Sequence, residues 1–304
     1  MNILVTGATG FIGRRVAQRL VAQGHTVRCL VRATTDLRPL QYLPVEIWRG
    51  DMLDPESLRG AVEDVQAIVH LVGILREHPP ESTFRRIHVD GTRQLLDAAK
   101  GAGIRRFFYM SSIGAGSDPR YQYFLSKWLA EEQVQSSGIP WTVIRAGVVF
   151  GEGDEFLNRL ADLVRHPPSG GRTLAPIVPI IGSGQTRFQP VWVEDVADCI
   201  ARAATQPEYE NRLVTIGGPD HFTYEQLIDM VMDATGVHRP KVHVPVMLMR
   251  PAVAMMPLVY KEPPITPEQL RMLEVDGITD IDAVQQQFGF TPARLVDTLE
   301  YLRS

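Results

Sequence analysis

Six short apolar segments, separated by amphipathic ones, constrain this chain more than any other feature. They are NILVTG (2–7), TVRCLVR (26–32), VEIWRG (45–50), AIVHLVG (67–73), RRFFYMSS (105–112) and WTVIRAGVVF (141–150). Each is rich in β-branched or aromatic residues, bounded by turn formers, and apolar almost without alternation. A strand with one wet face alternates, whereas continuous apolarity belongs to strands covered on both faces, as in a parallel sheet. The intervening FIGRRVAQRLVAQG and TRQLLDAAKGAG read as helices, and both end in glycine, a common helix stop. Repeated strand–helix units predict an α/β fold built on a doubly wound parallel sheet.

After residue 151 the rhythm changes. HPPSGGRTLAPIVPIIGSG (166–184) reads as loop plus a short strand, and VWVEDVADCIARAA (191–204) as a helix returning to the main layer. From FTYEQLIDMVMDATG (222–236) onward, short helices and the strand KVHVP suggest a smaller C-terminal part. The expected division is a dinucleotide-binding domain at 1–155 completed by 186–216, with a smaller substrate or lid subdomain from 156–185 and 217–304. The most apolar late stretch, VPVMLMRPAVAMMPLVY (244–260), is interrupted by Arg250 and three prolines. A membrane-spanning helix needs about 20 apolar residues in a row, so this stretch is expected to wall a substrate cleft. Core of the small subdomain and a docking patch are its other readings.

Charge and cysteine content narrow the class. The net charge is −4 with no basic block, which points away from nucleic acid. Cys29 and Cys199 stand singly, as in a reducing compartment, and the eight histidines lack metal-ligand spacing, so no metal site is expected. The first strand starts at residue 2 without a charged leader and apolar run. The expectation is a soluble, cytoplasmic protein.

TGATGFIG (6–13) places Gly7, Gly10 and Gly13 between the first strand and the first helix. In that context the first glycine permits a tight turn, the second lets backbone approach a pyrophosphate, and the third allows close helix–strand packing. Phosphates would sit on the free amides of the helix N-terminus. An NAD site needs an acid at the end of the second strand. Here Val31 takes that place and Arg32 follows, and a guanidinium suits a 2′-phosphate. Arg14 could add a second positive charge. The expected cofactor is NADP(H).

The GxxGxxG spacing resembles the extended and atypical branches of the short-chain dehydrogenase/reductase family. Further likenesses follow in chain order: Asp51 in GDMLD, HLVG (70–73), MSS (110–112) and FQPVWVEDVA (188–197). The resemblance implies that the cofactor is contacted by Gly7, Thr9, Gly10, Phe11, Ile12, Gly13, Arg14, Arg32, Asp51, Met52, Leu71, Val72, Gly73, His88, Lys127, Ala146 and Val148. His88 stands where the family has a helix asparagine, and Arg145–Ala146 where it has Arg-Pro. The stretch YFLSK (123–127) matches the family's Tyr–Lys pair. Tyr123 and Lys127 lie at i and i+4, so both project from one helix face. The resemblance implies Tyr123 as proton donor or acceptor, Lys127 as its partner on the nicotinamide ribose, and Ser112 as hydrogen-bond donor to the reacting oxygen. A nearby ammonium favours phenolate and would draw the phenol below its usual value near 10. Alternatively, Lys127 pairs with Glu131 and Tyr123 merely packs.

Three functions fit. The first is an NADP(H)-dependent oxidoreductase acting on a carbonyl or secondary alcohol of an apolar small molecule. The second is a non-catalytic NADPH-binding protein with a protein partner. It resembles the nucleotide-binding accessory subunits of respiratory complex I and their bacterial relatives through TGATGFIGRRV, HVDGTRQLLDAAKGAGIRRFFYMSS and IIGSGQTRFQPVWVEDVA. The third is a sugar-nucleotide epimerase or dehydratase, with Arg187 placed for a substrate diphosphate.

Overall fold

The computed structural model describes residues 1–166, 177–259 and 263–303. Its residues group into two compact units, Met1–Ala146 with Val193–Ile216 and Gly147–Trp192 with Gly217–Ser304.

The first unit is built on β1 (Asn2–Thr6), β2 (Thr26–Val31), β3 (Glu46–Arg49), β4 (Ala67–His70), β5 (Arg106–Ser112), β6 (Trp141–Ala146) and β11 (Arg212–Ile216). They form one parallel sheet in the order β11-β6-β5-β4-β1-β2-β3. The sheet is doubly wound, as the apolar segments require. Helices α2 (Pro55–Ala61), α3 (Gly91–Gly101) and α4 (Gln122–Gln135) cover one face. There Leu58, Leu95, Ala130 and Val134 pack with Leu4, Ile68, Phe107 and Val143 in one core. The other face carries α1 (Gly13–Ala22) and α6 (Val193–Thr205). These two helices are tied by Arg15–Glu194 at 2.7 Å and by Arg19 to Glu194 and Asp198 at 3.0 and 2.6 Å. The order reverses beside β1, which pairs with β2 on one side and β4 on the other. Open α/β sheets bind ligands outside the strand ends at such a point.

The segment WTVIRAGVVF differs from its reading as one strand. β6 stops at Ala146, and Val149–Phe150 forms a separate strand, β7, paired with β10 (Val191–Trp192) in the second unit. Gly147 allows the break, since a Cβ there would lie 2.5 Å from the carbonyl oxygen of Gln189.

The second unit also contains α5 (Leu157–Arg165), β8 (Val178–Ile181), β9 (Arg187–Phe188), β12 (Phe222–Thr223), α7 (Tyr224–Thr235), β13 (Lys241–Val244), α8 (Val246–Val259), α9 (Pro267–Met272) and α10 (Ala283–Phe288). β8 is the short strand expected in 166–184; the loop expected before it, from 167 to 176, lies outside the described residues. Its core joins Phe150, Leu157, Val178, Leu227 and Leu302. Buried Asp154 organises the entry to α5: its carboxylate accepts from the amides of Gly151, Phe156 and Leu157 and from the Tyr301 hydroxyl.

The stretch expected to be interrupted by its prolines is a helix. α8 runs from Val246 to Val259 with Pro251 inside it. Its 14 residues span about 21 Å at ~1.5 Å per residue, short of a hydrocarbon core of ~30 Å. No helix among the described residues is long and apolar enough to cross a membrane. Val253 is buried, whereas Met247, Leu248 and Met255 are 82%, 65% and 60% exposed, so much of α8 is apolar surface rather than core.

Candidate functional site

β1 delivers the chain to Gly7, whose φ of +75° an L side chain rarely adopts. A Cβ on Gly7 would lie 3.1 Å from the backbone of both Leu71 and Val72, so the ends of β1 and β4 meet at a seam that only glycine fits. A Cβ on Gly13 would fall 2.0 Å from the Gly7 carbonyl oxygen, which starts α1 in contact with the turn. No side chain caps α1 at Ile12; the Arg14 and Arg15 amides already donate to the Gly10 and Ile12 carbonyls at 3.1 Å, and the positive end of the helix dipole favours an anion beside the turn. Gly10 is exposed at the tip, and Thr9, Phe11, Ile12 and Arg14 are half-buried around it. Phe11 is held in turn by Arg15, which donates to its carbonyl at 2.7 Å and covers its ring at 4.9 Å. A glycine turn with an uncapped helix behind it fits a dinucleotide pyrophosphate.

At the ends of β2 and β3, Arg32, Thr34, Arg49, Asp51 and Ser57 line one cavity. Arg32 is exposed. Asp51 is held in place: its carboxylate accepts from the Leu53 amide at 2.9 Å, and the Ser57 hydroxyl donates to its carbonyl at 2.9 Å. Met52 is buried and packs onto Gly91. Arg49 was not among the expected residues. Its Nη1 donates to the carbonyls of Arg32 and Ala33, at 2.8 and 3.2 Å, and so pins the turn that carries Arg32. The only sequence signal was an arginine closing the third strand.

Tyr123, Lys127 and His88 come together with Ser112 and Gly73. A Cβ on Gly73 would lie 3.6 Å from His88 Nε2 and 3.8 Å from Lys127 Nζ. The Tyr123 ring is buried against Phe84, His88 and Phe124, with centroids 5.4 to 5.7 Å apart, and its hydroxyl is hydrogen-bonded with Ser112. Lys127 is 4% exposed. Its Nζ donates to the Met110 carbonyl at 2.5 Å and stands 4.5 Å from the Tyr109 ring centre.

One alternative and one expectation are corrected here. Lys127 is not paired with Glu131, whose buried carboxylate is engaged by Arg145 at 2.5 to 3.2 Å. Nor is the Tyr123 phenol drawn down. Burial pushes it up to about 12, and the Ser112 hydrogen bond offsets only part of that. The ammonium is directed at a carbonyl and another ring, and it is itself lowered from 10.5 to about 7 by burial, with Glu131 pulling the other way. In the nucleotide-free protein, therefore, Tyr123 is a protonated phenol at neutral pH.

The remaining expected positions lie further out. Ala146 ends β6, buried, its carbonyl accepting from the Ile113 amide at 2.9 Å. Val148 belongs to the second unit, where its carbonyl accepts from Val191 at 2.9 Å. Arg187, expected for a diphosphate, is bound by Asp276 at 2.7 and 2.9 Å.

The sheet order, the glycine turn and the uncapped helix define a nicotinamide-dinucleotide-binding α/β protein. A profile of the NAD dependent epimerase/dehydratase family matches residues 3–217, and the chain belongs to that family. It is 31% identical over 238 residues to the mitochondrial NADH dehydrogenase [ubiquinone] 1 alpha subcomplex subunit 9 of Rattus norvegicus, covering 76% of this chain and 60% of that protein. It is 29% identical over 195 residues to a ceramide reductase of Caulobacter vibrioides, covering 64% and 58%. The chain thus spans about three-fifths of each of these relatives. A short-chain dehydrogenase/reductase superfamily protein of Agrobacterium tumefaciens with bound NAD shares the fold at a TM-score of 0.70 and 23% identity, covering 100% of this chain and 96% of that one.

Proposed function

We propose that the protein is an NADP(H)-dependent oxidoreductase acting on a carbonyl or secondary alcohol of an apolar small molecule. The observation that carries this reading is the Tyr123 hydroxyl, protonated and hydrogen-bonded with Ser112, on the same helix face as the buried Lys127. Gly7, Thr9, Gly10, Phe11, Ile12, Gly13 and Arg14 would hold the pyrophosphate, and Arg32 and Asp51 the adenosine end. Leu71, Val72, Gly73, Lys127 and Ala146 would line the nicotinamide end, with the fully buried His88 behind the loop that follows β4. Bound NADP(H) supplies or accepts the hydride. In the reductive direction Tyr123 gives its proton to the substrate oxygen as the carbonyl carbon is reduced, and Ser112 donates a hydrogen bond to that oxygen. Lys127 would hold the nicotinamide ribose. Oxidation of an alcohol runs the same transfers backwards. A substrate screen with NADPH tests the reading: reduction of apolar ketones or aldehydes is expected, and no turnover with any carbonyl or alcohol would sink it.

Selectivity for NADPH is supported by Arg32 and by Val31 in place of an acid. Arg32→Ala is expected to weaken NADPH by about 1.5–3 kcal/mol, the usual worth of a hydrogen bond to a charged group, and to leave NADH unchanged. Titration of both nucleotides against both proteins checks this; equal losses for the two would refute it. The Asp276 carboxylate that neutralises Arg187 speaks against a sugar-nucleotide diphosphate there. The buried free thiols of Cys29 and Cys199 support a reducing, cytoplasmic setting.

A second reading, a non-catalytic NADPH-binding protein that docks on a partner, is favoured by the exposed apolar residues of α8 and by the likeness to the rat NADH dehydrogenase subunit. NADPH binding without turnover in the screen would select it.

A further inference from the structure

The two ring nitrogens of His88 have unambiguous duties. Nε2 lies 2.9 Å from the amide nitrogen of Ile74. An amide can only donate, so Nε2 accepts and the ring hydrogen sits on Nδ1. Nδ1 is 2.7 Å from Ser126 Oγ and donates to it. Ser126 passes its own hydrogen to the Tyr123 carbonyl at 2.7 Å.

The same logic runs the other way along the sheet. Thr92 Oγ1 donates to the His88 carbonyl at 2.6 Å. It therefore accepts from His70 Nε2 at 3.1 Å, and His70 Nδ1 accepts from the Thr6 hydroxyl at 2.6 Å. Thr6, His70, His88 and Thr92 are fully buried, and Ser126 is 4% exposed. A single line of hydrogen bonds thus joins the residue before Gly7 to the first turn of α4, and every hydrogen on it has one place.

We propose that His88 is a positioning residue with two separable arms. The Nε2 arm fixes the loop that follows β4, through the Ile74 amide, for the nucleotide; the Nδ1 arm, through Ser126, fixes the turn that carries Tyr123. The proposal rests on the reading of 71–73 as nucleotide-lining. His88 lies in a π-helical turn, Arg85–Asp90, and such turns often mark functional sites. Its Nε2 is also the nearest atom that a Cβ on Gly73 would meet, at 3.6 Å, which places the ring directly beside that loop.

Two substitutions separate the arms. In His88→Gln the longer amide keeps an acceptor for Ile74 and gives up the bond to Ser126. In His88→Asn the shorter amide keeps a donor for Ser126 and does not reach Ile74. NADPH affinity, followed by its fluorescence, is expected to stay within about threefold in the glutamine variant and to fall about tenfold or more in the asparagine variant, the effect of losing one buried hydrogen bond. Thermal unfolding of both variants is measured alongside. Affinity losses that simply track the two stability losses, or the same affinity in both variants, would overturn the proposal.

A second measurement needs no nucleotide. The ¹⁵N spectrum of the wild-type protein is expected to show His88 protonated at Nδ1 and bare at Nε2; a hydrogen on Nε2 would overturn both arms. Should the wild type bind neither NADPH nor NADH, the reading of the loop as nucleotide-lining fails, and the ¹⁵N result still decides whether the ring is held as described.

Discussion

Replacing Tyr123 by phenylalanine is expected to remove most turnover, by about 10²–10⁴-fold, while NADPH affinity stays within about twofold of the wild type. The ring of Tyr123 packs against Phe84, His88 and Phe124, and phenylalanine keeps every one of those contacts. Only the hydroxyl is lost, together with its hydrogen bond to Ser112. A group that acts on the substrate oxygen as charge develops affects the transition state far more than the bound nucleotide. Steady-state kinetics with whichever carbonyl the screen yields, beside a nucleotide titration, provide the check. If Tyr123→Phe turned over at the wild-type rate, the phenol would be a packing residue and the proton would have to come from elsewhere.

Lys127→Met is expected to abolish function and yet stabilise the nucleotide-free protein below neutral pH. The unfolded chain keeps the lysine proton up to 10.5, whereas the folded chain, which buries the ammonium, releases it near 7. Between those values the unfolded state binds more protons, so this residue makes stability rise with pH, and its full cost is felt below about 7. Each pH unit between the two values is worth about 1.4 kcal/mol, which sets an upper bound of about 5 kcal/mol on that cost. The bond to the Met110 carbonyl and the Tyr109 ring offset part of it. Denaturant unfolding of wild type and variant at about pH 6.5 and about pH 9.5 is expected to show the variant ahead at the lower value and the gap narrowing at the higher. A variant less stable at the lower pH, or a gap that does not change, would mean that the ammonium is well solvated. A lysine kept at such cost is what a functional site, rather than a core, retains.

The parallel sheet was legible because its strands are apolar on both faces, a pattern that a half-wet strand cannot imitate. The glycine turn was legible because the spacing marks positions with no room for a side chain: a Cβ on Gly7 would crowd Leu71 and Val72, and one on Gly13 would clash with Gly7. The common face of Tyr123 and Lys127 followed from helix geometry. What spacing could not reveal is where the polar ends go. Glu131 sits one turn beyond Lys127 but is taken by Arg145, 14 residues away in sequence. His70 looked like one polar residue in an apolar strand; its partners, Thr6 and Thr92, are 64 and 22 residues distant. The phenol's acidity was misjudged for the same reason, since a nearby charge is visible in a motif and the loss of water around it is not. The helix through Pro251 shows the limit of breaker residues as signals: surrounding structure can carry a helix past one.

The seventh strand has a consequence for synthesis on the ribosome. β6 is complete when residue 146 has been made, but its outer edge pairs only with β11, residues 212–216. The carboxylates of Glu194 and Asp198, which take up Arg15 and Arg19 on α1, belong to the same late stretch. A nascent chain that stops near residue 150 therefore displays an unpaired strand edge and lacks the carboxylates that tie α1 to α6, the kind of surface on which other chains can add. For this protein the unit built on the parallel sheet is not an N-terminal module that folds and is then extended. It closes only when the chain comes back to it, so a fragment ending at the sixth strand is expected to collect in the insoluble fraction, whereas one that runs past residue 216 contains every strand of the sheet.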